Sequence, residues 1–442
     1  MSKPSIANVQ AWEALDSRGR PTVGCRVQLA DGTSGTATVP AGASTGRHEA
    51  RELRDGGPRY DGRGVRTAVA NIVGPLAAAV RGMDVTDQPV IDRRLREVDG
   101  SPDLRNLGAN AVLAVSVASA VASAAGQRMP LFRAVGQGGR GLLPRPMVNI
   151  VSGGAHAHGV IDIQDVLVVP LTADTVAEAI EVASRVRAQT ARAAEDRGLP
   201  VYLVADEGGL GLPLGDNQAA IGLVLEGIER AGFRPGEDVG IALDVAAAQL
   251  QVGALYRLRA EGRELDADEL IEELKGWCQR YPIVSVEDGL GEDAWKGWST
   301  LTRSLPGVQV LGDDLFATDV ARLRQGVEFG AANAVLVKPN QIGTLSDARA
   351  VVEFAHRVGY RTVLSARSGD TEDAWLADLA IGWRTGQLKV GSTHRAERTA
   401  KWNRLLAVEA TAGADELDVG LASWSVPPPV PVSSSAGNGR PL

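Results

Sequence analysis

Asp244, Glu287 and Asp313 each close a short apolar run: 241–243, 283–286 and 308–312. Lys338 and Lys389 close two later runs, 335–337 and 387–388, and between them the run 362–365 leads into Ala366-Arg367-Ser368. Three carboxylates brought to one place without a cation would repel one another strongly. A hard divalent ion resolves that conflict, and oxygen donors with neither Cys nor clustered His favour Mg²⁺ over Zn²⁺. The plainer alternative is three carboxylates capping helices at strand-to-helix turns. A lysine serves as a base only if its pKa falls toward neutrality, and a neighbouring ammonium and a divalent ion both push it that way. The alternative is a structural lysine paired with the carboxylates. Glu207, in Asp206-Glu-Gly-Gly209, is a candidate for the opposing acid. Base and acid on opposite sides of a bound substrate suit abstraction of a proton α to a carboxylate, followed by loss of a β-leaving group. Arg367 and Ser368 offer a fork and a hydroxyl for a phosphoryl oxyanion. Two glycine-rich segments, 41–46 and 152–159, suit loops that close and exclude water. His156 and His158 lie in the second; with no third His nearby they read as substrate contacts or loop residues rather than metal ligands.

These residues need a scaffold that gathers them. Glu287, Asp313, Lys338, Arg367 and Lys389 are spaced by 26, 25, 29 and 22 residues, and most gaps carry a helical pattern, such as 346–358 and 373–382. The run 202–205 before Asp206-Glu207 fits the same rhythm. This predicts a parallel (β/α) barrel, in which residues at the C-terminal ends of the strands converge on one mouth. Ahead of it, strand patterns at 6–14, 22–30 and 33–39, with an Asp31-Gly32 hairpin turn, precede helical patterns at 65–80, 90–98 and 110–125. That order predicts a small α+β domain. The expected division is 1–135 for this domain, 142–425 for the barrel, and a Pro/Ser/Gly-rich tail at 426–442 that stays disordered.

Composition excludes several classes. The chain has 442 residues, 44% of them hydrophobic and 23% charged, which rules out global disorder. A net charge of −8 argues against nucleic acid as the main partner. Two cysteines, Cys25 and Cys278, make neither a disulfide scaffold nor a metal spacing. With no apolar leader core in 1–9, they point to a cytoplasmic location. The uncharged stretch 106–127 is rich in Ala, Ser and Val, so it reads as a buried helix and no membrane partner is expected. Residues 136–141 match G-x-G-x-x-G, but Leu142-Leu-Pro-Arg-Pro146 follows instead of a helix, so this is a loop rather than a dinucleotide site.

Several segments together resemble the enolase family along nearly the whole chain. They include Asp16-Ser-Arg-Gly, Gly42-Ala-Ser-Thr-Gly46, Asp206-Glu-Gly-Gly, Leu243-Asp-Val-Ala-Ala, Val286-Glu-Asp-Gly-Leu, Gly312-Asp-Asp-Leu-Phe, Lys338-Pro-Asn-Gln-Ile-Gly and Arg367-Ser-Gly-Asp-Thr-Glu-Asp. The resemblance implies a small N-terminal α+β domain on a modified (β/α)8 TIM-type barrel, a homodimer or higher oligomer, and two Mg²⁺ per active site. It also implies reversible dehydration of 2-phosphoglycerate to phosphoenolpyruvate. By position it makes Asp244, Glu287 and Asp313 metal ligands, Ser44 part of the second metal's loop, Lys338 the base and Glu207 the acid. Lys389 becomes a carboxylate contact, and Arg367 and Ser368 phosphate contacts, with His156 on the lid. Four departures stand out: Ala366 where a His is usual, Ala155 for a lid Glu, Asp165 for a Glu that assists the acid side, and Ala41 for a lid Ser. All lie toward the phosphoryl and leaving-group side. The expected substrate is therefore a small phosphorylated or phosphonylated carboxylate. The leading expectation is an enzyme like the carboxyphosphonoenolpyruvate synthases of phosphinothricin-type pathways. Phosphopyruvate hydratase and a non-catalytic enolase-like binding protein are the rivals.

Overall fold

The structure, a computed structural model, describes residues 4–42 and 45–425; Ser44 and the tail 426–442 lie outside them. Strands β1 (Ile6–Leu15), β2 (Pro21–Leu29) and β3 (Ser34–Thr38) form an antiparallel meander. Its second turn depends on Gly32, whose φ of +89° an L side chain rarely adopts, and on Asp31, whose Oδ1 accepts from the Thr33 amide at 2.9 Å. The meander packs on the helix Ala109–Gly126, which is the uncharged stretch of the sequence. That helix is long and apolar enough to cross a membrane by composition, yet 83% of it is buried inside the protein. Its small residues allow close approach: a Cβ on Gly35 would stand 2.1 Å from the Ala122 amide nitrogen. Ser116 Oγ accepts from the Leu345 amide of a barrel helix at 3.1 Å, tying the two domains together. The helical pattern at 65–80 is interrupted, because Pro75 inside it lacks an N–H and the turn widens over Ile72–Leu76.

Eight strands close the barrel: β4 (Arg145–Ser152), β5 (Asp165–Pro170), β6 (Val239–Asp244), β7 (Ile283–Glu287), β8 (Gln309–Gly312), β9 (Ala334–Val337), β10 (Arg361–Ser365) and β11 (Gly386–Lys389). They follow in chain order, and β11 pairs β4. Inward-facing Met147, Leu167, Ala242, Leu311, Leu336 and Val363 fill the interior. The expectation of an all-parallel barrel is corrected in one place. β5 pairs antiparallel with both neighbours, because β4 and β5 are consecutive and form a hairpin rather than a crossover. The second correction concerns 202–205. This run is no strand: it is a loop after the helix Val176–Glu195, and Tyr202 is 81% exposed. Its barrel position belongs to the hairpin, and only isolated bridges join Leu210 to Val204 and Val151.

Candidate active site

Register brings the charged residues to one rim. Asp244, Glu287 and Lys389 are the last residues of β6, β7 and β11, while Asp313 and Lys338 each stand one past β8 and β9. Asp165 pairs Asp244 across β5 and β6, so the reversed strand places its first residue at the same mouth. All of these side chains are largely or wholly buried.

The two lysines sit on the carboxylates. Lys389 Nζ donates to Asp244 Oδ2 at 2.7 Å and to Glu287 Oε1 and Oε2 at 2.8 and 2.7 Å. Lys338 Nζ donates to Asp313 Oδ2, whose other oxygen accepts from Gln341 Nε2 at 2.9 Å. Gln164 Nε2 adds a second donor to Asp244 Oδ2 at 3.0 Å. Burial pushes Lys338 down, but the Asp313 carboxylate outweighs it, with Arg367 and Lys389 opposing, and the ammonium ends above the ordinary lysine value. The expected depression is thus absent in this state, because the neighbouring anion is nearer than the neighbouring cations. Burial and Asp244 drive Glu287 well above the usual carboxylate range, while Lys389 pulls it back. Asp288 is also driven well up, by burial and by Asp314 and Asp313, although the amides of Asp313 and Asp314 bond its oxygens at 2.8 Å.

The opposite wall carries the acid candidates. His156 Nδ1 lies 2.8 Å from Asp165 Oδ2, and its Nε2 lies 3.8 Å from Glu207 Oε1. Asp165 is in turn held by Asn149 and, at 2.7 Å, by Ser152 Oγ. Burial lowers the His156 pKa, but Asp165 and Glu207 outweigh it and raise it to about 9. Burial raises Glu207, but His156, Arg398, Lys389 and Lys338 prevail and hold it below the ordinary value. At neutral pH the proton of this pair therefore rests on His156, and Glu207 is ionised.

Past β10, Arg367 is clamped by Glu49, with Nη1 at 2.8 Å from Oε2 and Nη2 at 3.3 Å from Oε1. Arg18 Nη1 reaches Ser368 Oγ at 3.3 Å, and Arg398 Nη2 holds the Ser368 carbonyl at 2.6 Å. Ala366 is buried beside Arg367 and faces a void of about 10 Å³ bounded by Pro40, Trp375, Leu376 and Lys401. Lys401 does not reach the mouth: its ammonium pairs with Asp370 at 3.2 Å and Glu397 O at 2.9 Å. Ala41 pairs its backbone with Gly369, and Ala155 is exposed, so neither lines the mouth. The mouth cavity itself is about 30 Å³, lined by His156, Glu207, Asp244, Asp313, Lys338, Arg367, Ser368 and Lys389 among others.

Two family models match the chain: "Enolase, N-terminal domain" over residues 6–135 and "Enolase, C-terminal TIM barrel domain" over residues 140–422. The chain belongs to the enolase family. It is an enzyme of the enolase superfamily built on that family's barrel. As a member of that family, this chain offers donors suited to a hard divalent ion. Asp288, Asp313 and Asp314 bring one oxygen each within 4.8 Å of one another, and burial with Asp313 pushes Asp314 up to about 7. Such a buried anionic set without enough counter-charge fits a cation. Asp244 and Glu287 are not in that cluster; in this state Lys389 holds them instead. Ser44, placed by resemblance in the second metal's loop, is outside the described residues. Sequence reasoning passed over Arg18, Glu49, Gln164, Gln341 and Arg398. Arg18 lay inside a quoted motif, and Gln341 sits three residues after Lys338; Glu49 and Arg398 had no local signal.

Proposed function

We propose that this enolase-family protein forms an enolpyruvate product by abstracting the proton α to a carboxylate and eliminating the β-substituent, with two Mg²⁺ per site. The observation that carries this is the opposition of Lys338, among the carboxylates of β6 to β8, to the His156–Glu207 pair across one mouth. When bound, divalent ions on Asp244, Glu287 and Asp313 would supply positive charge beside the substrate carboxylate and make its α-proton more acidic. Lys338 then accepts that proton at Nζ. For this it must be neutral, and relief from the Asp313 charge removes what now holds its pKa up. Lys389 leaves its carboxylates to bind the substrate carboxylate. His156 and Glu207 deliver a proton to the departing oxygen, while Asp165 fixes the imidazole through Nδ1. Arg367 and Ser368 hold the phosphorus oxygens, and Glu49 sets the fork's plane.

For the substrate we favour a carboxylate whose phosphorus group differs from a plain phosphate, as in carboxyphosphonoenolpyruvate synthesis. Ala366 supports this reading: it puts a buried methyl beside a small void, and Lys401, the cation that lines that void, is engaged with Asp370 and with the Glu397 carbonyl. One lost charged hydrogen bond costs about 1.5–3 kcal/mol, roughly ten- to a hundredfold in rate. The second reading, phosphopyruvate hydratase, is favoured by Arg18, which adds a guanidinium at Ser368. Purified protein assayed with 2-phosphoglycerate and Mg²⁺ separates the two. The first reading expects weak turnover that Ala366→His raises roughly tenfold or more. Full glycolytic turnover by the unmodified chain, indifferent to Ala366→His, would leave the second.

A further inference from the structure

Outside the mouth, six arginines line one cavity of about 640 Å³ in the N-terminal domain: Arg18, Arg20, Arg47, Arg51, Arg54 and Arg63. Among the described residues three carboxylates share its wall, Asp16, Glu49 and Glu52, and each is already engaged. Asp16 holds Arg18 at 3.3 Å, Glu52 holds Arg54 at 2.6 Å, and Glu49 is committed to Arg367, which does not line this cavity. Arg47 and Arg51 pair outward, with Glu292 and Asp293 and with Asp103, but their side chains are 70% and 69% exposed, so these pairs are weak. Among the described residues, no ion pair or side-chain hydrogen bond holds the guanidiniums of Arg20 or Arg63. Arg18, whose side chain is only 8% exposed, also leaves its Nε without a partner. A chain of net charge −8 thus keeps a local excess of cations, two of them free, around one hollow.

Planar guanidiniums bind phosphate and carboxylate oxygens in pairs and are weakly hydrated, so a cluster of them held apart by a cavity is an anion receptor. The volume suits a small ligand. Among the described residues no aromatic side chain lines it to stack on a nucleobase. We propose that this hollow is a second anion site, beside the mouth, that binds a compact polyanion with two or more phosphate or carboxylate groups through Arg20 and Arg63, with Arg18 standing between it and Ser368. Glu49 stands in its wall while holding Arg367 in the active site, so an occupant is sensed one ion pair away from the chemistry. The inference does not depend on which substrate the mouth accepts.

Isothermal calorimetry of the full chain with inorganic diphosphate, with divalent ions chelated, tests it. The expected result is binding that weakens roughly tenfold or more in Arg20→Ala/Arg63→Ala, falls steeply with salt, and persists in Arg367→Met. Arg20→Lys/Arg63→Lys should recover part of the loss. These two arginines carry no ion pair, so thermal unfolding of the double variant should match the parent and exclude misfolding. Absence of binding, or binding abolished by Arg367→Met and indifferent to the arginine pair, overturns the site. So does light scattering that shows the pair holding a dimer together in a chain that takes up no diphosphate; the hollow would then be covered by a second copy.

Discussion

The protonation of His156 makes a prediction that can be worked through. Its imidazole lies between two buried carboxylates, and their pull lifts its pKa from 6.5 to about 9 against the cost of burial. A group whose pKa is raised on folding contributes stability that is complete below the unfolded value and is lost as pH climbs through the folded one. The window here runs from 6.5 to about 9. The gap corresponds to about 3 kcal/mol, taking 1.36 kcal/mol for each pH unit. With divalent ions chelated, the unfolding temperature of the parent should therefore fall across this window. The fall should be much smaller in His156→Gln, which has nothing to titrate there. Asp165→Asn, which removes the nearer carboxylate, should move the transition to lower pH. A direct reading comes from ¹³C-labelled histidine by NMR, because the chain has only five histidines. One resonance should titrate near 9 and vanish in His156→Gln. Those of His356 and His394 should titrate below 6.5, since burial and neighbouring arginines lower both. Five histidines all titrating at or below 6.5 would refute the assignment of the proton to His156. The donor to the leaving group would then have to be sought at Glu207 itself.

Three further outcomes follow from the geometry. Lys389→Met leaves Asp244 and Glu287 buried without their cation and should cost about 3–5 kcal/mol in the chelated protein. Added Mg²⁺ should raise its unfolding temperature more than the parent's, and equal stability of the two proteins without metal would contradict the pairing. Lys338→Ala should slow washout of deuterium from the α-carbon of the substrate by about 10²–10⁴-fold; unchanged washout places the base elsewhere. Gly35→Ala drives a Cβ to within 2.1 Å of helix backbone at Ala122 that cannot yield, so a loss of about 1–3 kcal/mol in thermal or denaturant unfolding is expected. A loss near zero would mean that the sheet and helix are free to separate.

Much of the mouth was legible because a barrel repeats one unit. Each β/α unit ends an apolar run on the residue that reaches the rim, so Asp244, Glu287, Asp313, Lys338 and Lys389 could be picked out by where the runs stop. The same rule misled at 202–205, where an apolar run is an exposed loop, since composition does not say which segment finds a free strand edge. It also could not show that β5 runs backwards, which is what brings Asp165 to the rim from the start of its strand rather than the end. The pairings were hidden for a different reason. Arg367 meets Glu49 across 318 positions, and Arg18 meets Ser368 across 350. Such contacts arise only once the N-terminal domain is docked on the barrel, and no periodicity encodes them.

The charge arrangement explains why the two expectations for the lysines, base and structural counter-ion, are not rivals. Buried carboxylates on three adjacent strands cannot all stay ionised without nearby positive charge. In this state Lys389 and Lys338 supply it, and both are held above the ordinary lysine value by the anions they neutralise. Lys389 must release Asp244 and Glu287 before those oxygens can ligate an ion. Lys338 must likewise lose the pull of Asp313 before it can accept a proton. On the proposed reaction, whatever neutralises the carboxylates would do two things at once: free one ammonium for a substrate anion and lower the pKa of the other toward use as a base. A site with the lysines removed would keep its ligands but lose this coupling. For that reason Lys389→Met should bind divalent ions more readily than the parent and still fail to turn over, a separation that parallel calorimetry and kinetics would expose.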